Sequence, residues 1–483
     1  MFLVPTALVF SLLPRLAFAQ SFAITSGPAT DQVLQRDEAG KAVVNLSGTA
    51  LSLNNKPLEI RAIGINGVLP SDWAPAGKIA ADKWSAKITL PTGGPYRVEV
   101  RSNNIVQSVT NLLVGDLWVL GGQSNMEGVG NLIDVEPPHG LVHSFDQSDQ
   151  WGLAQEPLHN LPGAADRVHW RKNKEGIALR LEGTALAEFI ANRKKGAGLG
   201  LAFAAEMVRR TGVPIGLLPC AHGGTSMDQW SPDLRDKAGD SLYGATIRRV
   251  KLAGGKVRGM LWYQGESDAN PNAASGFQAK FERLVAAFRS DLGDPGMRFY
   301  YVQVGRYVNS QNQLEWNEVQ EMQRKAEKTI PQSGMVASVD LSLDDAIHIG
   351  TRDQKRLGRR LANLAAIDLF GTTVPGVRRG PRPVSAKLDG STLRVTFSDV
   401  NGRLTSQGRI SGFSIHDSAG APIPAIFQAT FDHVNHAMVV LHLGAKIPDG
   451  ATLRYGFGKD PYCNVRDQAD MAAPVFGPMV IER

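Results

Sequence analysis

One serine in this chain has the surroundings of a catalytic nucleophile. Residues 121–128 read Gly-Gly-Gln-Ser-Asn-Met-Glu-Gly and follow an apolar run at 117–120, which places Ser124 at the end of a predicted strand. α/β enzymes carry nucleophiles at this position, and the glycines permit a turn that is too tight for a residue with a Cβ. A helix opening after Ser124 would direct free N–H groups at a developing anion. The same serine could also merely cap a helix.

A serine hydroxyl needs a base, and the base must be held in the correct tautomer. Asp345 and His348 have a D-x-x-H spacing between the apolar run 335–339 and a predicted helix at 353–366. This spacing lets the carboxylate fold back onto one imidazole nitrogen while the other nitrogen points outward. In isolation, the two residues are also compatible with a capped turn that carries a surface histidine.

Two further loops offer donors for the oxyanion of a tetrahedral intermediate. Residues 222–226 read His-Gly-Gly-Thr-Ser and residues 264–267 read Gln-Gly-Glu-Ser, each directly after a predicted strand. The N–H of Gly223 and the side-chain amide of Gln264 are suitable donor types. Either loop alone could be a tight turn. Four such loops at the carboxyl ends of separate strands predict a single site.

Three regions with different hydrophobic patterns must position these loops. Residues 21–113 alternate apolar and polar positions between Gly and Pro, which predicts a β-sandwich-like domain. Residues 114–370 alternate buried strands with helices, which predicts a doubly wound α/β core, with 129–198 as a long insertion. Residues 381–483 return to strands and predict a C-terminal β-domain. The predicted core elements are strands 117–120, 214–219, 257–263 and 299–304, and helices 199–210 and 277–291.

The composition is that of a soluble globular protein. The chain has 483 residues, of which 43% are hydrophobic and 20% charged, and a formal charge of +6 that is spread without a basic block. We therefore expect no nucleic-acid partner. No apolar run beyond the leader reaches the ~18 residues of a membrane span. The oligomeric state is left open.

The first residues have the character of an export signal. Residues 2–13 are largely apolar, and residues 17–19 read Ala-Phe-Ala, a small-x-small pattern. This predicts a signal peptide over residues 1–19 and a secreted or periplasmic protein. The alternative is a buried first strand.

Cysteine usage and glycine spacing indicate no metal or cofactor. Only Cys220 and Cys463 are present, so one disulfide is possible, although the strand before Cys220 favours a buried thiol. No histidine pair with i, i+4 spacing lies on a predicted helix, as a helical zinc site would require. The glycine-rich segments lack the flanking elements of a nucleotide loop.

The four loops together resemble the SGNH-hydrolase superfamily. Within it, the chain is similar to the sialate O-acetylesterase-like carbohydrate esterases, with traits of their plant-type acetylesterase relatives. The motifs that carry this resemblance are Gly-Gln-Ser-Asn-Met-Glu (122–127), Gly-Gly-Thr-Ser (223–226), Trp-Tyr-Gln-Gly-Glu-Ser (262–267) and Asp-Ala-Ile-His (345–348). The resemblance extends over nearly the whole chain.

This resemblance implies a role for each motif residue. Ser124 would be the nucleophile, His348 the base and Asp345 the orienting acid. The implied oxyanion donors are the N–H groups of Ser124 and Gly223 and the side chain of Gln264. Many bacterial members carry the acid two residues before the histidine, where this chain has Ala346. Asp344 is therefore the alternative acid.

Other residues of the same loops have supporting or substrate-facing roles in this interpretation. We expect Asn125, Glu127 and Glu266 to support the site, with the two glutamates bonding neighbouring loops. A glycosidase carboxylate pair is the alternative for the glutamates. His222 would form a wall of the pocket or bind substrate. Trp230 would stack on a sugar or pack beneath its loop.

The sequence thus predicts an exported carbohydrate O-acetylesterase that works without a cofactor and forms an acetyl-enzyme intermediate. Its partner would be an acetylated carbohydrate, and the insertion 129–198 would form the pocket wall. The alternatives are an acetyltransferase with the same triad and a non-catalytic glycan-binding protein on this fold.

Overall fold

The chain was examined as a computed structural model that describes residues 20–64, 72–309, 314–371 and 378–483. The predicted signal peptide, residues 1–19, lies outside the described residues. The chain divides into two compact units. The first unit comprises the ranges up to 29, 43–90 and 95–110, and the second comprises 30–42, 91–94 and 111–483.

The first unit is made of strands in which apolar and polar residues alternate. Along Lys41–Leu51 every second residue is buried, as the period of a strand with one covered face requires. One sheet contains, in order, Ser21–Ser26, Lys41–Leu51 and Lys83–Pro91. Antiparallel pairing also joins Pro57–Gly64 to Ala74–Lys78 and to Gly93–Ser102.

A largely parallel sheet forms the centre of the second unit. Its strand order is Trp151–Leu153, Val142–Phe145, Ile215–Pro219, Ile105–Gly122, Gly259–Tyr263, Arg298–Gln303 and Ser333–Ala337. All neighbours are parallel except the first pair. Ile215–Pro219, Gly259–Tyr263 and Ser333–Ala337 are buried at every residue, which explains their largely apolar sequences. The predicted core strands are confirmed.

Helices connect these strands. The α-helices are Ser124–Glu127, Gly183–Asn192, Gly200–Thr211, Leu242–Leu252, Phe277–Asp291, Glu315–Thr329 and Thr351–Phe370. Short 3₁₀ helices are Leu161–Gly163, Arg167–His169, Pro232–Asp240, Glu266–Asp268 and Ala274–Gly276. The core between sheet and helices contains large aromatic side chains, including Trp118 and Trp262. The structure confirms a mixed α/β fold.

The C-terminal segment is rich in strands. Its sheet runs in the order Pro422–Ile423, Phe413–His416, Thr452–Tyr455, Phe476–Glu482, Arg382–Asp389, Thr392–Ser398, Met438–Leu443 and Ile426–Phe431. A reciprocal pair of hydrogen bonds, 2.9 and 2.8 Å, joins the Gln303 side chain to the backbone of Val475. The segment belongs to the same compact unit as the parallel sheet. The predicted domain boundaries stay a prediction.

Small two-stranded pairings complete the second unit. Val33–Gln35 runs parallel to the central strand Ile105–Gly122. The other short pairs are Gly130–Asn131 with Lys195–Ala197, Arg171–Lys172 with Ala178–Leu179, and Leu404–Thr405 with Arg466–Asp467. Cys220 and Cys463 are both buried free thiols. In the part of the chain that the structure describes, no helix is long and apolar enough to cross a membrane.

Candidate active site

The turn before Ser124 is held by backbone bonds to both neighbouring strands. The N–H of Gln123 donates to the carbonyl of Tyr263 over 2.8 Å, and the N–H of His222 donates to the carbonyl of Gly122 over 3.0 Å. Gly122 has φ +129°, and a Cβ there would lie 2.1 Å from the Tyr263 oxygen. Only glycine fits this approach. The turn therefore places Ser124 at the edge of the sheet, at the start of the helix Ser124–Glu127.

Ser124, His348 and Asp345 form a continuous hydrogen-bonded chain. The Oγ of Ser124 lies 2.9 Å from Nε2 of His348, and Nδ1 of His348 lies 2.9 Å from Oδ2 of Asp345. A bond from Nδ1–H to the carboxylate leaves Nε2 as an acceptor for the serine proton. This is the geometry of a hydroxyl nucleophile next to a general base.

The structure distinguishes between the two candidate acids. Asp344 accepts from the side chain of Asn131 over 3.0 Å, whereas Asp345 contacts the imidazole. The Oδ1 of Asp345 also accepts from the N–H groups of Ile347 and His348. Burial alone would raise the pKa of Asp345, but the Ile347 N–H and the bonds from His348 hold it well below its usual range. Asp345 is thus an ionised partner for the histidine.

Asn125 joins the serine helix to the histidine loop. Its Nδ2 donates to Glu266 over 3.0 Å and to the Ile347 carbonyl over 3.3 Å, and its Oδ1 accepts from the N–H of Ile349 over 3.0 Å. Burial raises the pKa of Glu266, and the bond from Asn125 offsets part of that rise. The sequence indicated a supporting role for Asn125 but not this bridge, since the two loops are more than 200 residues apart.

Glu127 accepts a hydrogen bond from one of the expected oxyanion donors, the N–H of Gly223. Its Oε2 accepts from the N–H of Gly223 over 2.8 Å, which confirms the expected bond to a neighbouring loop. A Cβ on Gly223 would lie 3.4 Å from Cβ of Ser124, so this N–H is next to the nucleophile. Burial raises the pKa of Glu127, and the Gly223 bond opposes that rise. In this state the Gly223 N–H is engaged.

Gln264 differs from its expected role. Its side chain is fully buried, and Nε2 donates both hydrogens inward, to the Thr225 carbonyl over 3.1 Å and to Oδ2 of Asp268. Oδ2 of Asp268 also accepts from the N–H of Met227 over 2.9 Å. Gln264 therefore joins two loops beneath the site and presents no amide hydrogen to a substrate. Its residue type indicated a donor, but its direction required the fold.

The two predicted substrate-facing residues separate in the structure. Trp230 is completely buried, with Nε1 donating to Thr225 over 3.0 Å and its ring packed edge-on against Trp262. Sugar stacking by Trp230 is therefore wrong, and its role is packing beneath the loop. The half-buried His222 faces His169 of the insertion, with 3.1 Å between their Nδ1 atoms. The sequence predicted that histidines of the insertion contribute to the pocket wall, but it did not single out His169.

A cavity of about 1210 Å³ adjoins these loops. Residues of the insertion form most of its wall, together with Glu127 and His222. Lys195, which also lines it, places its Nζ 3.6 Å from Oδ2 of Asp345. Burial lowers the pKa of both His169 and His222, so this part of the wall is neutral near pH 7. The cavity offers room for a substrate next to the loops that carry Glu127 and His222.

The family model and the relatives that match this chain are carbohydrate esterases and acetylesterases. A family model described as a carbohydrate esterase, sialic acid-specific acetylesterase, matches residues 114–367. A probable carbohydrate esterase from Arabidopsis thaliana is 26% identical over 274 residues, or 51% of this chain and 88% of that protein. Sialate O-acetylesterase from Homo sapiens is 23% identical over 326 residues, covering 59% of this chain and 60% of that protein.

One solved structure shares the fold over most of the chain. A carbohydrate acetylesterase from Xanthomonas citri superposes with a TM-score of 0.63 at 24% identity. The match covers 93% of this chain and 97% of that protein.

Proposed function

The chain belongs to the sialic acid-specific acetylesterase family of carbohydrate esterases, which are carboxylic-ester hydrolases, and from this premise we propose that it removes O-acetyl groups from carbohydrates with Ser124 as nucleophile. The observation that carries the proposal is the chain of 2.9 Å contacts from Ser124 through His348 to Asp345. Glu127, three residues after Ser124, lines a cavity that is large enough for a sugar ester.

The proposed reaction has two halves. Ser124 Oγ attacks the acetyl carbonyl while His348 Nε2 takes the serine proton, and Asp345 stabilises the resulting imidazolium. The ester C–O bond breaks, and His348 returns the proton to the departing sugar oxygen. Water, deprotonated by His348, then attacks the acetyl-enzyme and releases acetate.

The developing oxyanion needs donors in place. The N–H of Ser124, at the first residue of its helix, serves this purpose in the proposal. The N–H of Gly223 becomes a second donor when the Glu127 carboxylate moves away from it. Gln264 acts by holding the loop of Thr225 in position rather than by touching the oxyanion.

We take the candidate substrates from the family description and the names of the relatives. Acetyl esters of sialic acid are among the first candidates. We also propose that the protein is exported, on the evidence of the leader-like residues 1–19. Detection of a mature protein that begins after residue 19 in the culture medium or periplasm would support export, and an intact leader in the cytoplasm would contradict it.

Hydrolysis of p-nitrophenyl acetate by the wild type and by Ser124→Ala tests the mechanism. We expect rapid release of p-nitrophenol by the wild type and background release by the variant. Equal rates in the two would refute a serine mechanism. Acetate release from a panel of acetylated glycans, with and without an added acceptor sugar, then identifies the substrate and separates hydrolysis from acetyl transfer.

A further inference from the structure

The cavity lined by Glu127 and His222 has an excess of positive charge. Its lining contains six Lys or Arg side chains against two carboxylates. The cations are Arg167, Arg171, Lys172, Arg193, Lys194 and Lys195, and the carboxylates are Glu127 and Asp240. All six cations belong to the insertion 129–198. The insertion thus gives the active-site cavity its charge.

Two of the six cations have a carboxylate partner. Arg167 lies 3.9 Å from Asp240, and Lys195 lies 3.6 Å from Asp345. For the remaining four, no carboxylate of the described residues lies within 4 Å. These four, named here the cationic cluster, are Arg171, Lys172, Arg193 and Lys194.

Many arginines elsewhere in the same unit have a carboxylate partner, although others, such as Arg298 and Arg352, have none within 4 Å among the described residues. Arg248, for example, binds Asp166 through two hydrogen bonds of 2.7 Å. Grouping like charges without partners costs free energy through mutual repulsion.

Arg171 and Arg193 interact with Glu127, and Arg193 also interacts with Glu156, but only at longer range. Two carboxylates do not balance four cations, which favours a ligand that supplies negative charge.

Part of the cationic cluster is held in place before any ligand arrives. The ring of Phe189 lies 4.9 Å from the guanidinium of Arg171 and 6.0 Å from that of Arg193. Arg193 also donates to the carbonyls of His159 and Lys195 over 2.6 and 2.7 Å. Because these contacts fix the guanidinium groups, less side-chain freedom is lost when an anion binds.

We propose that the cationic cluster binds a polyanionic oligosaccharide, a chain with several carboxylates, and presents its acetylated sugar to Ser124. The role of Ser124 rests on the proposed function, but the binding step does not. One acidic sugar carries a single carboxylate and leaves most of the cluster unpaired. The cavity of about 1210 Å³ also exceeds the usual range for a small ligand, about 300–1,000 Å³.

Isothermal titration calorimetry with unacetylated sugars tests the proposal without relying on catalysis. The probes are galacturonate as monomer, dimer and tetramer, with the neutral xylotetraose as the uncharged control. We expect affinity to rise from monomer to tetramer, to fall with added salt because ions screen the attraction, and to be absent for xylotetraose. Equal binding of monomer and tetramer, or tight binding of xylotetraose, would overturn the proposal.

Substitutions in the insertion locate the binding site. Arg171→Ala, Lys172→Ala and Lys194→Ala should each weaken tetramer binding about threefold to fivefold, as for an exposed ion pair, and the triple variant more than tenfold. Lys174→Ala is the matched control, because Lys174 is exposed on the same hairpin and does not line the cavity. An equal loss in the control, or none in the triple variant, would contradict the assignment.

The two proposals fail in distinguishable ways. If the sugars bind as expected but Ser124→Ala retains esterase activity, then the mechanism is wrong and the cationic cluster stands. If p-nitrophenyl acetate hydrolysis depends on Ser124 but no acidic tetramer binds, then the esterase stands and the cationic cluster has another role.

Discussion

The loops at the end of the parallel sheet and the insertion 129–198 differ in how far their polar side chains are paired with other residues. In the loops, Asn125, Glu266 and Gln264 are paired with neighbours, and Asn125 and Gln264 are buried. In the insertion, the cationic cluster has no carboxylate within 4 Å among the described residues. The loops are therefore organised without a substrate, as catalysis requires, whereas we propose that the insertion binds a ligand that carries negative charge.

Removing the base should have the largest effect on the loops. We expect His348→Ala to lower kcat for p-nitrophenyl acetate by roughly 10⁴-fold or more, since the serine loses its proton acceptor. His222→Ala is the matched control, because His222 lines the cavity but does not contact Ser124's hydroxyl in the structure. Steady-state kinetics check both. If His222→Ala lowered kcat as much as His348→Ala does, the assignment of His348 as the base would be contradicted.

Removing the charge of the orienting acid comes next. Asp345→Asn should lower kcat about 10³- to 10⁴-fold, because an amide stabilises the imidazolium poorly and favours the wrong tautomer. Asp344→Asn, which affects the two bonds from Asn131, should change kcat no more than about twofold. If Asp344→Asn were the more damaging of the two, the acid would be misassigned.

Breaking the bridge between two loops should affect stability and rate together. Asn125→Ala removes three hydrogen bonds and leaves Glu266 and the Ile349 N–H without this partner, so we expect a loss of about 2 kcal/mol in the free energy of unfolding. A displaced His348 loop should also lower kcat by about 10²-fold. Urea unfolding and kinetics measure the two effects.

The control for that prediction lies in the insertion. Asn173 also bonds backbone through its side chain, accepting from the N–H of Ile177 over 2.8 Å. Asn173→Ala should leave the hydrolysis of p-nitrophenyl acetate unchanged. A similar fall in kcat for both variants would mean that the two regions are not functionally distinct.

A glutamate of the insertion, Glu156, makes the free energy of unfolding depend on pH. Glu156 accepts from the N–H groups of Leu158 and Gly198, and burial raises its pKa from 4.5 to about 7 against these bonds. As the pH rises, Glu156 loses its proton near pH 4.5 in the unfolded chain but only near pH 7 in the folded chain. The free energy of unfolding therefore falls as the pH rises through the folded pKa. Between about pH 5 and pH 8, the wild type should lose about 2 kcal/mol relative to Glu156→Gln. Parallel pH profiles of the unfolding free energy for the two proteins would contradict this.

The sequence was most informative where function depends on local order. Strand ends at Gly122 and Tyr263 follow from continuous apolar runs, and the D-x-x-H spacing determines that Asp345 can reach His348. In such cases the relevant distance spans few residues. The fold class and the positions of Ser124 and His348 at one edge could therefore be predicted.

The errors and omissions share a different cause. The inward direction of Gln264 and the burial of Trp230 depend on loops that meet only in the folded chain. The cationic cluster likewise forms because residues near 171 and near 193 approach one another around Phe189. Neither spacing nor composition encodes such contacts, so they required the structure.

The central claim is that Ser124 carries the acetyl group during turnover. Rapid acid quench of the wild-type enzyme with p-nitrophenyl acetate, followed by peptide mass spectrometry, tests it directly. The account predicts one acetyl group on the peptide that contains Ser124, at the Ser124 side chain, and none in Ser124→Ala treated identically. Active enzyme whose acetyl group lies on another residue, or an equally acetylated peptide in the variant, would contradict it.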